Sequence, residues 1–127
     1  MLAAAIVVTL SGAGTATAST TKTCYLDADH WATITIHLNA SYLYGYSVFY
    51  GRSGGWTYGT HNNEHVYATE FHYWDSPDSG SGGVWINRDA MPDAPRTIVW
   101  FDFQAVGDHA NVSDPICTIR FSKGPDY

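Results

Sequence analysis

The stretch YLYGYSVFYGRSGGWTYGTHNNEHVYATEFHYW, from Tyr42 to Trp74, decides which class of fold this chain can form. Eleven of its 33 residues are aromatic, and the run is interrupted by Gly51, Gly54, Gly55 and Gly59. Aromatic residues favour strands, and glycine adopts the backbone angles that tight turns require. The stretch therefore predicts strands joined by turns rather than a helix. Because one small core cannot easily enclose so many rings, we expect some of them on the surface.

Segments on either side of this stretch have the patterns of further strands. Trp31–Leu38 (WATITIHL) and Ile116–Phe121 (ICTIRF) alternate apolar with polar residues, the period of two that is typical of half-buried strands. We expect His65–Trp74 to be the longest strand, and the nearly continuous apolar run Arg96–Phe103 to be a central strand buried on both faces. About seven or eight short strands without a helix predict an all-β fold, a single antiparallel β-sandwich that is immunoglobulin-like in architecture.

The N-terminus has the pattern of a cleaved signal peptide. Met1–Leu10 is an apolar run, and Ala16-Thr17-Ala18 matches the small-residue motif of a signal-peptidase site. A membrane anchor would need about 18 continuous apolar residues, which this run does not reach. We therefore expect residues 1–18 to be removed and residues 19–127 to form one secreted, extracellular domain that is not bound to a membrane.

Cys24 and Cys117 are the two cysteines of the chain and lie near opposite ends of the expected mature domain. In an exported protein they most simply form one disulfide bond, and the alternative is a pair of free buried thiols. Closing so long a loop would stabilise the fold by about 4–5 kcal/mol if the effect is one of chain entropy. We expect the bond to join the first and last strands.

The charge balance limits the classes of partner. Twelve acidic residues against six basic ones give a net charge of −6, and neither sign forms a block. Without a basic patch to neutralise phosphates, nucleic acid and anionic membranes are not expected as partners. A mild acidic excess is typical of a secreted protein that stays soluble.

The segment His61-Asn62-Asn63-Glu64-His65 matches H-x-x-E-H, the motif of one class of zinc proteases. That motif works on a helix, which places both histidines on one side with the glutamate poised as a base. Here a glycine precedes the motif and an aromatic strand follows it, so the helical setting is missing. Polar loop residues are the preferred interpretation, and a surface metal site on His61 and His65 is the alternative. No residue is predicted to be catalytic, and no cofactor is predicted.

Two short motifs carry less information about function. Asn39-Ala40-Ser41 and Asn111-Val112-Ser113 are formal acceptor sites for N-glycosylation. Aspartate pairs such as Asp75 and Asp78 flank turns, where carboxylates accept backbone hydrogen bonds. Turn capping therefore explains these pairs more simply than the two-carboxylate chemistry of glycosidases does.

Aromatic residues near strand ends and turns are the strongest functional signal. Flat Trp and Tyr rings stack on sugars and anchor protein partners, although they also serve as packing pairs between strands. The leading hypothesis is a non-enzymatic binding module that presents an aromatic loop surface to a carbohydrate or to a secreted protein. Its expected contact residues are Arg52, Trp56, Tyr58 and Trp74.

Two other functions stay open at this point. The first is an inhibitor of a secreted hydrolase, in which the preorganised loop Gly51–Gly55 enters an active site. The second is a small metal-dependent hydrolase or toxin, which would use His61, Glu64 or His65.

Overall fold

A computed structural model describes residues 19–53, 62–68, 73–76, 83–88, 94–109 and 113–127. Within these residues no helix is long and apolar enough to cross a membrane. The described strands are β1 (Thr21–Tyr25), β2 (His30–Leu38), β3 (Tyr42–Arg52), β4 (Asn63–Ala68), β5 (Tyr73–Ser76), β6 (Trp85–Arg88), β7 (Ala94–Pro95), β8 (Trp100–Val106) and β9 (Ile116–Ser122).

The strands form two antiparallel sheets. The first has the order β1-β2-β3-β6, and the short strand β7 pairs with β3 as well. The second has the order β9-β8-β4-β5. These pairings confirm the prediction of an all-β, antiparallel, sandwich-like fold.

β2 and β3 lie at the middle of the first sheet, and burial alternates from residue to residue along β2. On β2 the inward residues Ala32, Ile34, Ile36 and Leu38 are sealed from solvent, as the sequence period predicted. Their neighbours on the same strand are only half-buried, because successive side chains of a strand point to opposite faces. The pairing of β2 with β3 shifts register between His37 and Leu38, which leaves Tyr44 as the extra residue of a bulge.

Aromatic rings join the two sheets at the centre of the molecule. The ring of Tyr46 on β3 meets the ring of Phe103 on β8 edge-on, with 4.7 Å between centroids. Phe101 stacks on Phe121 at 5.5 Å, and Phe103 contacts Phe121 edge-on at 5.6 Å. Edge-on and offset geometries are the favourable ones for aromatic pairs, so this cluster adds to the burial of the aliphatic core.

The disulfide bond between Cys24 and Cys117 is present, as predicted. It links β1 of the first sheet to β9 of the second sheet and spans 93 residues of sequence. Both cysteines pack at the margin of the core cluster. The bond therefore fastens the two sheets together at the first and last strands.

Two predicted strands were wrong. His65–Trp74 is not one long strand, because β4 and β5 pair antiparallel with Tyr67 opposite Tyr73. Arg96–Phe103 is not buried throughout, because the chain turns near Arg96 and β8 begins only at Trp100. Burial alternates along β8, and its outward residue Asp102 pairs with Arg120. The predicted signal peptide, residues 1–18, lies outside the described residues and stays a prediction.

The C-terminus is tied to the N-terminal strand. The Asp126 carboxylate accepts hydrogen bonds from the Lys22 ammonium at 2.9 Å and from the Ser122 amide at 2.7 Å. Burial of this carboxyl opposes its ionisation, but these hydrogen bonds and the Lys22 charge outweigh that effect and lower the pKa of Asp126. The adjacent Tyr127 hydroxyl donates to the Ile98 carbonyl at 2.6 Å, and burial raises the pKa of that phenol to about 12.

We predict that this tie makes the fold sensitive to acid. Because the pKa of Asp126 is lower in the folded chain than its ordinary value of 3.8, its carboxylate stabilises the folded state above pH 3.8. That contribution is lost as the pH falls through the lowered value. Asp126→Asn should reduce the free energy of unfolding at pH 7 by about 1 kcal/mol and flatten its fall towards pH 2, measured by urea unfolding. Asp29→Asn, which changes an exposed turn carboxyl, should keep the wild-type pH profile. An unchanged acid profile in Asp126→Asn would contradict the assignment.

Candidate functional site

Of the four residues predicted to bind a ligand, only Arg52 has a described side chain, so their grouping into one site stays a prediction. Arg52 is exposed at the end of β3, opposite His30 of β2. Trp74 belongs to β5 of the other sheet, opposite Val66, and its side chain is not described. Trp56 and Tyr58 lie outside the described residues, and so do residues 54–55 of the predicted inhibitor loop.

Asn63, Glu64 and His65 of the H-x-x-E-H segment lie on strand β4, not on a helix. His61 is outside the described residues, while Glu64 and His65 are neighbours on β4 and so point to opposite faces of the sheet. The His65 ring lies on the half-buried outer side, where its Nδ1 is 3.2 Å from the Tyr67 hydroxyl. Among the described residues no three His, Cys, Asp or Glu side chains are grouped as they would be around a metal ion.

Glu64 instead lies in the sandwich interior with 0% of its surface exposed. The Tyr46 hydroxyl donates to its Oε1 and the Tyr50 hydroxyl to its Oε2, both at 2.6 Å. The two tyrosines come from β3 of the facing sheet, so the carboxyl bridges the two layers. Hydrogen bonds on both oxygens offset much of the cost of removing this group from water.

Among the residues whose side chains are described, exposed aromatic rings are found together on the outer face of the first sheet. We call it the aromatic-hydroxyl face and define it by the outward positions of β1, β2, β3 and β6. Their register places Tyr25, Trp31 and Gly51 in one row, Thr23, Thr33, Phe49 and Trp85 in the next, and Thr21, Thr35, Ser47 and Asn87 in the third. His37 and Gly45 form the fourth row.

One half of this face is aromatic. Tyr25 and Trp85 are 63% and 52% exposed, although both are large side chains on strands. Their rings are supported from the side: Tyr25 by Trp31 at 6.0 Å and Trp85 by Phe49 at 5.6 Å between centroids. At the usual strand spacing these rings extend across the sheet for roughly 14 Å.

The position of Gly51 follows from this aromatic half. A Cβ atom there would overlap the indole of Trp31, because that ring lies directly over the backbone of β3. Glycine is therefore required by a close approach of a ring rather than by a turn. The Trp31 side chain thus reaches from β2 over the neighbouring strand β3.

The other half carries hydroxyl and amide groups. The hydroxyls of Thr21 and Thr35 are 2.7 Å apart, and those of Thr23 and Thr33 are 2.8 Å apart. In each pair one hydroxyl donates to the other, so the second proton is available to a ligand. Ser47 lies between the ring nitrogen of His37 and the side-chain amide of Asn87.

The face is also nearly free of charge. Of the outward positions that the structure describes on these four strands, none is Asp, Glu, Lys or Arg. The outer face of the second sheet differs, because Arg120 there forms two hydrogen bonds with Asp102, at 2.8 and 3.0 Å. Those bonds raise the pKa of Arg120, and its guanidinium also stacks on Trp100 at 3.6 Å.

Sequence patterns missed the two most exposed rings of the face. Tyr25 ends a short first strand, and Trp85 lies on a four-residue strand whose partner in β3 is about forty positions away. The alternation of β2 did indicate that Thr33, Thr35 and His37 share the face opposite the core, and the structure confirms this. What the sequence could not show is which strands lie beside β2 and β3.

No family model matches the chain, and no curated protein or solved structure is significantly similar to it.

We predict that Glu64 stabilises the fold. Glu64→Ala would remove the acceptor that the Tyr46 and Tyr50 phenols share, although Tyr50 keeps the Asn63 carbonyl at 2.9 Å, and should lower the free energy of unfolding by about 1–3 kcal/mol in urea titrations. Glu64→Gln keeps the size and one acceptor oxygen, so it should cost less. A Glu64→Ala protein as stable as the wild type would show that the bridge between the sheets contributes little.

Proposed function

We propose that this protein is a secreted, non-enzymatic binding module that holds a carbohydrate chain on the aromatic-hydroxyl face. The observation that carries the proposal is the joint exposure of Tyr25 and Trp85 beside rows of hydroxyl groups on an uncharged surface. The proposed contact surface is therefore the outer face of this sheet, while Trp56 and Tyr58 lie outside the described residues.

Sugar chemistry supports this choice of ligand. A pyranose ring has an apolar C–H surface that packs on Trp or Tyr, and a rim of hydroxyls that both donate and accept hydrogen bonds. The face offers both kinds of group side by side: rings occupy the first row and share the second with two threonines, and the third row carries hydroxyl and amide groups. A neutral ligand needs no counter-charge, which fits the absence of Asp, Glu, Lys and Arg from the described outward positions.

Other features support export and a rigid scaffold. The disulfide of Cys24 and Cys117 fits an oxidising compartment, as does the predicted signal peptide of residues 1–18. We also propose that the sandwich is immunoglobulin-like in the loose architectural sense. A face built on paired strands loses little conformational entropy on binding, which favours affinity.

We predict that Trp85 is a main contact. Residues 19–127 should be retained on at least one of insoluble cellulose, chitin, xylan and mannan, measured by depletion from solution. Trp85→Ala should weaken retention on that polymer about tenfold or more, because an exposed aromatic anchor is lost. Trp100→Ala, which removes a tryptophan from the outer face of the second sheet, should bind as the wild type does.

A second variant tests the same face without removing a ring. Gly51→Ala places a Cβ atom where the Trp31 indole lies, so that ring must move off the sheet. Retention should fall while the protein remains folded, and the tryptophan emission should change. If the wild type binds none of the polymers, or if Trp85→Ala binds as well as Trp100→Ala does, the proposal is wrong.

A further inference from the structure

We infer that Asn87 forms a donor subsite of the aromatic-hydroxyl face, at which a neutral glycan must present an acceptor oxygen beside the ring of Trp85. The inference rests on the proposed function and adds to it the group that fixes the position of a sugar. It starts from the hydrogen bonds of three side chains on three neighbouring strands, namely His37, Ser47 and Asn87.

The direction of these hydrogen bonds follows from the Asn87 amide, whose oxygen faces the Ser47 hydroxyl. The Ser47 hydroxyl donates to Oδ1 of Asn87, with 2.5 Å between the oxygens. A hydroxyl has one proton, so its contact with Nε2 of His37, at 2.8 Å, must be one in which His37 donates. The chain therefore runs from His37 through Ser47 to Asn87, and it requires the tautomer of His37 that carries a proton on Nε2.

The same contacts decide which end of the Asn87 amide faces solvent. Because Oδ1 is held by Ser47, the Nδ2 group, with two N–H donors, points away from Ser47. Ser47 is buried and Asn87 is exposed, so the fixing contact is shielded while the donors stay accessible. The His37 ring is oriented in turn by the ring of Tyr44, at 5.8 Å between centroids.

The neighbourhood of Asn87 indicates the class of ligand. Trp85 stands on the same face of β6, two residues and roughly 7 Å along the strand, with Phe49 supporting its ring. A sugar that stacks on Trp85 would place a ring oxygen or a hydroxyl of the same or the next unit within reach of the amide. The subsite thus requires a hydrogen-bond acceptor of the glycan at this point.

Asn87→Asp tests the donor directly. The carboxylate has nearly the same shape and still accepts from Ser47, but it replaces the two outward N–H donors with an acceptor oxygen. We expect retention on the polymer that binds the wild type to fall about tenfold or more at pH 7, with thermal unfolding unchanged. Trp85→Ala and Trp100→Ala, measured in parallel, show whether the face itself binds.

Ser47 serves as a positioning residue in this account, so its test needs a readout beyond stability. In the wild type, the side-chain Nδ2 resonances of Asn87 should shift in ¹H–¹⁵N spectra when a soluble hexasaccharide of the retained polymer is added. Ser47→Ala should reduce affinity a few-fold. Because the Asn87 amide would then lack one fixed orientation, the shift of its Nδ2 resonances should be smaller. Ser47→Thr keeps the hydroxyl and should restore the shift.

The outcomes separate the subsite from the function on which it rests. If Trp85→Ala abolishes retention while Asn87→Asp binds as the wild type does, the face binds glycan and the donor subsite is wrong. If no polymer retains the wild type, the proposed function fails and the subsite fails with it. Reduced retention of both Trp85→Ala and Asn87→Asp, together with a shift of the Asn87 amide resonances in the wild type, supports the proposed function and the subsite.

Discussion

The packing of the two sheets through the inner residues of β2, β3 and β8 is the constraint on which the rest of the structure depends. Because side chains alternate along a strand, sealing one set of residues in the core forces the other set outward. The contact of Tyr46 with Phe103, and the bridge from Glu64 to the two tyrosines, hold the inner set in one register. The composition of the outer face is then fixed, and its rings and hydroxyls stand where a ligand can reach them.

The sequence predicted those parts of the fold that depend on local pattern. The alternation of Trp31–Leu38 predicted the buried and outward sides of β2, and two cysteines in a chain expected to be exported predicted the disulfide. The antiparallel pairing of β4 with β5 inside His65–Trp74 was missed because the segment has aromatic and β-branched residues and no glycine or proline. In Arg96–Phe103 the nearly continuous apolar sequence gave no sign of the turn near Arg96. Asp102 could be recognised as an outward residue only once Arg120 was known to lie beside it.

The candidate face was less predictable, since it is assembled from strands that are far apart in sequence. Trp85 belongs to the candidate face only because β6 pairs with β3, and Ser47 reaches Asn87 across forty residues. Conversely, Glu64 belonged to a motif that suggests catalysis, yet its strand turns it inward to the tyrosines. The glycine before that motif and the aromatic residues after it were the local signals against a zinc-protease helix.

A ¹H–¹⁵N correlation map of residues 19–127, titrated with soluble hexasaccharides of cellulose, chitin, xylan and mannan, tests the central claim most directly. The account predicts that shifts from the sugar that binds cluster on the outward residues of β1, β2, β3 and β6, including the indole N–H groups of Trp31 and Trp85. Shifts confined to the second sheet, around Asp102 and Arg120, or to residues 53–61 would contradict it.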